Sequence, residues 1–516
     1  MPPKVRKRPA GAMAPERPAQ YEAPERDPTP EKAAQWAHPP EGSTFPSRPW
    51  ANHIVTTLVR HGHLPGRLAE RKAVSLQVWS DCSGINTEMF ALKELGRSLG
   101  QVINAEVSWD LYFTCDSDAK SIQFAQDNFH PKHVGVDMEQ RNFTPLVNNF
   151  WCALCNVNHD IPRSGIDLYV GTYPCSPWSR RGKRTGFDHP GTTPFHIGVG
   201  TIAVMRPALW IIELGELPDQ TAMDQITSII TGKLNVQGTV SYTMQPLRNL
   251  TPSWSGFPIR RTRFLFVLLG WRADMGAASE LNNALSTLIE FPLAVDLSYR
   301  GLLGMSGAIE WSRVGQYPSG HELSQIMSSN CRCSANPLTI CAQHPCKCNH
   351  CGDDGTSCTW RTMAMDYVTK QGILPQANDV GTMTYVQVLE MAGRKAPTQP
   401  RVRALLNVQA LLPQARPLTD TLIVGDTSQN LHFMSLATDG LVPTLTMSSA
   451  MRCRSAGRHL EVWELAALMA VPVTDVTFAG QSEAWFRGRL GLAVHVGNFG
   501  LALLALQAAP LMKLLT

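Results

Sequence analysis

The chain has 516 residues, of which 43% are hydrophobic and 17% are charged. This composition excludes a fully disordered protein, and at roughly 100–200 residues per domain the length predicts about two to four domains. The formal net charge is +4, from 46 Lys and Arg against 42 Asp and Glu. It excludes a protein that coats nucleic acid over its whole surface but leaves room for a local basic groove.

The first 50 residues differ from the rest because they hold 12 of the 37 prolines, with charges of both signs between them. Such a stretch buries too little apolar surface to fold, so we predict a disordered tail over 1–50. It opens with the basic cluster Lys4-Val5-Arg6-Lys7-Arg8-Pro9. This cluster is typical of a nuclear address or a phosphate-contacting arm, and equally of a solvated charged tail. We expect a nuclear location.

From residue 51 onward, short apolar runs alternate with helical patterns. Predicted strands cover 74–79, 105–115, 166–170, 209–213 and 264–269, and predicted helices cover 88–99, 119–128 and 202–205. This alternation predicts right-handed βαβ units and an α/β fold with a Rossmann-like, mostly parallel sheet. The apolar stretch at 499–512 is too short to cross a bilayer. We therefore predict a packed terminal helix and no membrane partner.

Ligands of such sheets lie at the carboxyl ends of the strands, so the residues that follow each strand carry the functional signal. Gly84 follows the first strand, where a positive φ would let a ligand approach the backbone closely. Asp116 follows the second, where a carboxylate grips a ribose diol in nucleoside-binding folds. Asp118 is a plausible N-cap for the next helix. Asp137 ends another short apolar stretch, and alone it is more typical of a turn.

The strand at 166–170 leads to a cysteine. Cys175 lies in a Pro-stiffened loop at the strand's carboxyl end. Nearby Arg180, Arg181 and Lys183 would favour the thiolate, which is the reactive form of a cysteine. Taken alone, a Pro-Cys pair is uninformative, since most such cysteines are structural.

The last two strands bring a carboxylate and two arginines. Glu213 ends an apolar run, and a buried carboxylate needs a partner or a function. Arg261 and Arg263 alternate at the entry of the strand at 264–269, so they share one face. From that face they could reach the glutamate or a substrate oxygen. The alternative is a solvated strand entry.

Taken in order, these segments resemble the cytosine-5 DNA methyltransferase family. The loop 174–182 is similar to the family's nucleophile loop, Pro-Cys-Gln-x-Phe-Ser-x-x-Gly, and 258–263 is similar to its Pro-Gln-x-Arg-x-Arg segment. Glu213 stands where the family has Glu-Asn-Val, and 116–118 resemble its acidic cofactor segment. Near the C-terminus, 458–472 and 496–498 resemble the segments that precede and open the final helix.

The resemblance implies transfer of a methyl group from S-adenosylmethionine to carbon 5 of a cytosine flipped out of double-stranded DNA. Cys175 would attack carbon 6 of the ring as thiolate. Glu213 would hydrogen-bond ring nitrogen 3, and Arg263, supported by Arg261, would orient the base oxygen. A transfer-RNA cytosine-5 methyltransferase or a catalytically weak regulatory nucleic-acid-binding homologue are the alternatives. The large middle region and the basic tail favour DNA over RNA.

The resemblance also assigns the remaining site residues and the domains. The cofactor-binding residues it implies are Cys82, Gly84, Asp116, Asp137, Pro174 and Asn498. The nucleic-acid-binding residues are Ser179, Arg180, Arg181 and Lys183. The class I methyltransferase fold would occupy 51–270, an inserted irregular target-recognition region 271–440, and the part that returns to the catalytic domain 441–516. The sequence leaves the oligomeric state open.

The chain departs from the family pattern around the cofactor. The family's Phe-x-Gly-x-Gly-Gly loop is replaced by 82–87, in which Cys82 stands at the position of the stacking aromatic and two of the three glycines are lost. Ser176 and Ile259 each replace a Gln of the family motifs, and 214–215 replace Asn-Val. The nucleophile, the glutamate and both arginines are retained, so we predict an active enzyme.

The chain has 13 cysteines, an odd number, and we identify no secretory signal, so metal binding or catalysis is favoured over pervasive disulfides. Seven of them lie within 331–358. A structural zinc site with four ligands from these cysteines, His344 and His350 is favoured over free thiols or a disulfide hairpin. The sequence leaves open which four bind and whether there are two metals, and the set we propose is Cys346, Cys348, Cys351 and Cys358. Cys152 and Cys155 with His159 form a weaker second candidate, which could equally pack locally.

Overall fold

The computed structural model describes residues 50–68, 70, 72–144, 147–174, 176–177, 185–214, 220–234, 242–247, 252, 255–257, 259, 267–272, 278–293, 424–428, 436–437, 441–453, 458–478 and 480–515. The predicted disordered tail at 1–49 lies outside these described residues. So do most of the predicted target-recognition region, over 294–423, and the cysteine-rich segment 331–358. The disorder of the tail and the irregular fold of the middle region stay predictions.

A seven-stranded sheet forms the centre of the described part, in the order β3-β2-β1-β7-β8-β10-β9. Its strands are β1 (Lys72–Asp81), β2 (Ala105–Cys115), β3 (His133–Gly135), β7 (Leu168–Thr172), β8 (Leu209–Glu213), β9 (Tyr242–Leu247) and β10 (Val267–Arg272). Neighbours are parallel from β3 to β8, whereas β10 runs antiparallel to both β8 and β9. This confirms the predicted α/β fold with a mostly parallel sheet.

Side-chain patterns explain where these strands lie. In β2, buried and exposed residues alternate from Ala105 to Leu111, and the strand becomes buried on both faces towards Cys115. β8 is buried at all five positions, as expected for a central strand covered on both faces. In β1, Val78 and Trp79 point to opposite faces of the sheet and belong to two separate core clusters.

Helices supply the two outer layers. They are α1 (Trp50–Arg60), α2 (Thr87–Ile103), α3 (Ala119–Phe129), α4 (Thr193–Met205), α5 (Gln220–Leu234), α6 (Ala278–Glu290), α7 (Val462–Leu468), α8 (Glu483–Leu492) and α9 (Val496–Leu515). α9 packs against α1, α2 and α6 in one core cluster, while α4 and α5 pack together in the other. α6 therefore packs with the helices that cover the sheet. It lies within 271–440, the predicted target-recognition region.

Several element bounds match the sequence analysis. β2 and β8 begin and end at the predicted residues. β7 covers Leu168–Thr172, two residues later than predicted. β1 continues to Asp81 because Ser80 and Asp81 extend the pairing with β2. The predicted terminal helix is α9, whose side chains are buried in the core from Phe499 to Ala505, apart from the glycine between them.

Two smaller sheets complete the described structure. β4 (Asn142–Phe143), β5 (Asn148–Cys152) and β6 (Val157–Asp160) form an antiparallel sheet, and β11 (Val424–Asp426), β12 (Leu436–Ala437), β13 (Met451–Cys453) and β14 (Arg458–His459) form another. Of the helices that the structure describes, none alone is long and apolar enough to span a bilayer. α8 and residues 496–505 of α9 meet that criterion only as a pair bent by 41°.

Candidate active site

A cavity of about 360 Å³ opens at the carboxyl ends of the parallel strands. It lies where the strand order reverses, between β1 with β2 on one side and β7 with β8 on the other, which is the usual ligand position in such sheets. Its wall combines the segments after β1, β2, β3 and β7, the end of β8, and the link between α8 and α9. It contains five of the six predicted cofactor residues and the predicted glutamate, namely Cys82, Gly84, Asp116, Asp137, Pro174 and Glu213.

The loop after β1 keeps left-handed backbone at three positions. Cys82, Gly84 and Asn86 have φ of 54°, 54° and 49°. Asparagine tolerates this region better than most side chains, which explains how Asn86 can stand where the family motif has a glycine. Its side-chain amide donates to Glu88 at 2.9 Å and to Thr114 Oγ1 at 3.3 Å. The replaced glycine is thus offset by two hydrogen bonds that hold the loop.

Asp116 joins this loop to the one after β2. Its Oδ2 accepts from the Gly84 backbone N–H at 2.9 Å and its Oδ1 accepts from the Asp118 N–H at 2.8 Å. An ionised carboxylate has about four lone-pair sites, so both oxygens retain acceptor capacity towards the cavity. Asp118 caps α3 as predicted, by accepting from the Ser121 N–H at 3.1 Å.

The two remaining predicted cofactor residues, Asp137 and Asn498, lie in different places. Asp137 is exposed, lines the cavity, and accepts from the Glu139 backbone N–H at 2.8 Å, which caps a short 3-10 helix. Asn498 is buried at the start of α9, where its backbone N–H donates to Nδ1 of His495 at 3.3 Å. It is not among the residues that line the cavity.

Glu213 ends β8, and the segment that enters the predicted nucleophile loop follows the neighbouring strand β7 at the same end of the sheet. Thr172 of β7 pairs with Glu213 of β8, and the next residue, Tyr173, donates its backbone N–H to the Glu213 carbonyl at 3.0 Å. Glu213 is 8% exposed and lines the cavity. Pro174 is exposed on the same wall. This edge therefore presents a carboxylate next to the chain segment that leads into residue 175.

Several predicted residues lie outside the part of the chain that the structure describes. They are the nucleophile Cys175, the arginines Arg261 and Arg263, the nucleic-acid contacts Ser179, Arg180, Arg181 and Lys183, and the metal ligands Cys346, Cys348, Cys351 and Cys358. Their roles stay predictions.

A buried polar network that sequence reasoning missed lies next to this wall. The carboxylate of Asp81 pairs with both terminal nitrogens of Arg141, and the Tyr169 hydroxyl donates to it at 2.6 Å. The Tyr173 hydroxyl lies 2.6 Å from that of Tyr169. Because Tyr169 gives its proton to Asp81, Tyr173 must be the donor to Tyr169. Arg141 also donates to Thr201 Oγ1 at 2.9 Å, which ties the network to α4.

The shifted pKa values keep both tyrosines of the network protonated and Arg141 charged at neutral pH. Burial, and then the negative charge of Asp81, raises the pKa of Tyr169 and of Tyr173 well above the ordinary tyrosine value. Burial acts to lower the pKa of Arg141, but Asp81 more than offsets this and raises it overall. Tyr173 lies two residues before Cys175, so the network fixes the backbone from which the predicted nucleophile loop departs.

Cys82 has a different character from a nucleophile. Burial, followed by the charge of Asp81, raises the pKa of its thiol well above the ordinary value. The thiol therefore stays protonated at neutral pH, and its Sγ contacts the Met138 sulfur at 3.6 Å. It acts as a small apolar wall residue rather than a second reactive thiol.

The C-terminal part closes one side of the cavity, and no local sequence signal marks it. Arg489 and the link after α8, Leu492 to Val494, line the wall. Arg489 pairs with Asp118 at 2.6 Å, and the Trp485 indole N–H donates to the same carboxylate at 2.8 Å. A residue about 370 positions away along the chain thus anchors the loop after β2.

One family model and several solved structures are similar to the chain. Residues 89–283 match the family model described as C-5 cytosine-specific DNA methylase. A solved DNA modification methyltransferase encoded within an E. coli prophage is 13% identical, covering 85% of this chain and 99% of its own, with a TM-score of 0.43. A DNMT2 mutant from Spodoptera frugiperda is 13% identical, covering 84% and 99%, with a TM-score of 0.39. S. pombe Dnmt2 is 12% identical, covering 84% and 98%, with a TM-score of 0.38. No curated protein sequence matches the chain.

Proposed function

We propose that the chain is a C-5 cytosine methyltransferase that methylates carbon 5 of cytosine in DNA with S-adenosylmethionine, a proposal supported by the match of residues 89–283 to the C-5 cytosine-specific DNA methylase model. One observation carries this proposal. A single cavity brings the acidic residue after β2, the glycine loop after β1 and the buried Glu213 next to the segment that enters the predicted nucleophile loop. The residues proposed to bind the nucleoside of the cofactor and the carboxylate proposed for catalysis thus line the same cavity.

The volume and the lining residues of the cavity support S-adenosylmethionine as the cofactor. Its volume of about 360 Å³ lies within the range of small-molecule sites, roughly 300–1,000 Å³. Asp116 offers carboxylate oxygens to a ribose diol, and a Cβ on Gly84 would meet no atom within 4 Å, so the backbone there is open to a ligand. The N-terminus of α2, at Thr87, also lies on the wall and suits a negatively charged group. When bound, S-adenosylmethionine supplies the methyl group.

The chain's own residues would carry out the rest of the chemistry. Cys175 adds to carbon 6 of the flipped cytosine, which makes carbon 5 nucleophilic. Glu213 hydrogen-bonds ring nitrogen 3 and stabilises the charge that develops there, while Arg263 orients the base oxygen with support from Arg261. After methylation, loss of the carbon-5 proton expels the Cys175 thiolate and restores the ring.

The choice of DNA rests on the sequence. A large region within 271–440, beyond α6, would serve target recognition, and the basic clusters at 4–8 and 180–184 would contact phosphates. Transfer RNA is the alternative substrate, because the same catalytic set serves that chemistry in a related branch of the family. We also propose a nuclear location, which the basic N-terminal cluster and a DNA substrate would support.

Methyl transfer from labelled cofactor tests the proposal directly. The full chain is incubated with labelled S-adenosylmethionine and either duplex DNA or transfer RNA, and label in the nucleic acid is counted. We expect label in DNA, and none with Cys175→Ser or Glu213→Gln. Glu290→Gln, an exposed change at the end of α6, is the control and should transfer at the wild-type rate. Label only in RNA would show that the substrate is RNA rather than DNA, and label in neither would refute the proposed methyltransferase activity.

A further inference from the structure

The β5–β6 hairpin brings two cysteines and a histidine to one end of the small antiparallel sheet. Cys152 ends β5, Cys155 lies in the turn, and His159 lies on β6, opposite Phe150 of β5. Cys-x-x-Cys in a tight turn is a common ligand pair for structural zinc. The turn places Asn156 in left-handed backbone, with φ of 57°, so both thiols can turn to the same side.

A fourth residue reaches the same point from the central sheet. His133 begins the edge strand β3 and is buried. One ligand atom from each of His133, Cys152, Cys155 and His159 lies within 4.8 Å of the other three. Zinc bonds of about 2.3 Å to sulfur and 2.0–2.1 Å to nitrogen put tetrahedral ligand atoms roughly 3.3–3.8 Å apart. Cys155 Sγ and His133 Nδ1 are already 3.8 Å apart, so a small side-chain rotation completes the shell.

Two further contacts point to a metal rather than to local packing. The Val134 backbone N–H donates to Cys152 Sγ at 3.5 Å, and backbone donors of this kind orient and stabilise ligating thiolates. Nε2 of His159 is buried and has no hydrogen-bond partner. Burying a polar nitrogen without a partner is costly, and packing of its ring against His133 and Phe150 does not satisfy it.

We propose that His133, Cys152, Cys155 and His159 bind a structural Zn²⁺ ion. Two thiolates and two imidazoles in tetrahedral array are typical of zinc. The ion would tie the β4–β6 sheet to the edge of the central sheet, where the Ala153 N–H already donates to the Val134 carbonyl at 2.8 Å. β3 leads directly into 136–139, which line the cavity. None of the four proposed ligands belongs to the cysteine-rich segment 331–358.

Alkylation mapped by peptide tests this site in the unmodified full chain. Cys155 is exposed, so a free thiol there would react readily, whereas a zinc-bound thiolate is protected. The purified protein is treated with iodoacetamide before and after removal of zinc with a chelator, and the peptide with Cys152 and Cys155 is followed by mass spectrometry. We expect chelation to speed alkylation of Cys155 by about tenfold or more. Equal rates, or a peptide that reacts only after reduction of a disulfide, would overturn the proposal.

Zinc counting provides the second measurement. Zinc per chain is determined by mass spectrometry of the metal for wild type, Cys155→Ser and His159→Gln. Each variant should lose one zinc per chain relative to wild type. His130→Gln, an exposed histidine at the end of α3, is the matched control and should keep the wild-type content. Unchanged zinc in both ligand variants would refute the site, whatever the content of the cysteine-rich segment.

Discussion

Asp81 and Arg141 form an ion pair whose side chains are 0% and 1% exposed, beside the wall of the candidate active site. Asp81 ends β1, and Arg141 follows the short 3-10 helix that Asp137 caps. The pair therefore links the loops after β1 and β3. Through Tyr169 and Tyr173 it also reaches the segment that enters the predicted nucleophile loop.

Breaking this pair should cost both stability and catalysis. Asp81→Asn or Arg141→Met leaves one charge buried without its partner, which costs about 3–5 kcal/mol. Shifts of Tyr169 and Tyr173 would misplace the nucleophile loop, so methyl transfer should fall by up to about a hundredfold. Urea unfolding and single-turnover transfer measure the two effects.

An exposed ion pair supplies the contrast. Arg97, with a side chain that is 54% exposed, pairs with Glu94 and Asp475. Arg97→Met should lower the free energy of unfolding by at most about 1 kcal/mol.

The double change Asp81→Asn with Arg141→Met should be less destabilising than the sum of the two single changes. Additive losses would show that the two residues do not stabilise each other.

Gly198 of α4 makes room for the tyrosine pair. A Cβ at this position would overlap the hydroxyls of Tyr173 and Tyr169. Gly198→Ala should therefore displace Tyr173 and lower both the melting temperature and the transfer rate. Gly200→Ala, two residues on in the same helix, is the control because its Cβ would meet only the Phe143 ring, at 3.7 Å. Alanine in a helix is more stable than glycine by roughly 0.5–1 kcal/mol, so the control should gain stability slightly.

Asp116 should set cofactor affinity. Asp116→Asn removes the charge that would strengthen hydrogen bonds to a ribose diol, a loss of about 1.5–3 kcal/mol. The dissociation constant for S-adenosylmethionine, measured by calorimetry, should rise by about tenfold to a hundredfold. Asp110→Asn is the control, since Asp110 lies on β2 outside the cavity and accepts from Ser75 and Gln77 at the sheet surface. Equal affinities in the two variants would remove Asp116 from the cofactor site.

His459 should make the fold sensitive to mild acid. Burial, and then the positive charges of Arg452 and Arg487, lowers the pKa of His459 from 6.5 to about 4. The unfolded chain therefore takes up a proton near pH 6.5, whereas the folded chain does so only near pH 4. Stability that is present above pH 6.5 is lost as the pH falls towards 4, by up to about 3 kcal/mol.

The His459→Gln variant isolates this contribution. Unfolding midpoints in urea are compared at pH 7 and at pH 4.5 for wild type and variant. Wild type should lose more stability than the variant over this interval. Exposed His130→Gln should follow wild type. An identical pH response in His459→Gln and wild type would show that this imidazole does not couple to folding.

Local patterns predicted most of the sheet and several of the residues that line the cavity. β2 and β8 could be read from the sequence because each is a continuous apolar or alternating run bounded by polar residues. Asp116 and Gly84 were found because ligands of parallel sheets lie where strands end. Asp81 could not be recognised, since its partner Arg141 is 60 residues away and an acid at a strand end resembles any turn residue.

Long-range contacts account for what the sequence analysis missed. Arg489 pairs with Asp118, which lies about 370 positions earlier in the chain, and no local periodicity indicates that contact. The sequence showed Cys152, Cys155 and His159 as a weak cluster. Only the packing of β3 against β5 adds His133 to this cluster, which gives the four residues of the proposed zinc site.

Covalent trapping tests the proposed attack of Cys175 on cytosine. In DNA that carries 5-fluorocytosine, fluorine replaces the carbon-5 proton whose loss would release the enzyme, so the adduct cannot resolve. With S-adenosylmethionine present, the account predicts a stable complex of the full chain with duplex DNA, attached through the peptide that contains Cys175, and none with Cys175→Ser. A wild-type chain that forms no adduct with DNA or transfer RNA, or an adduct that persists in Cys175→Ser, would contradict it.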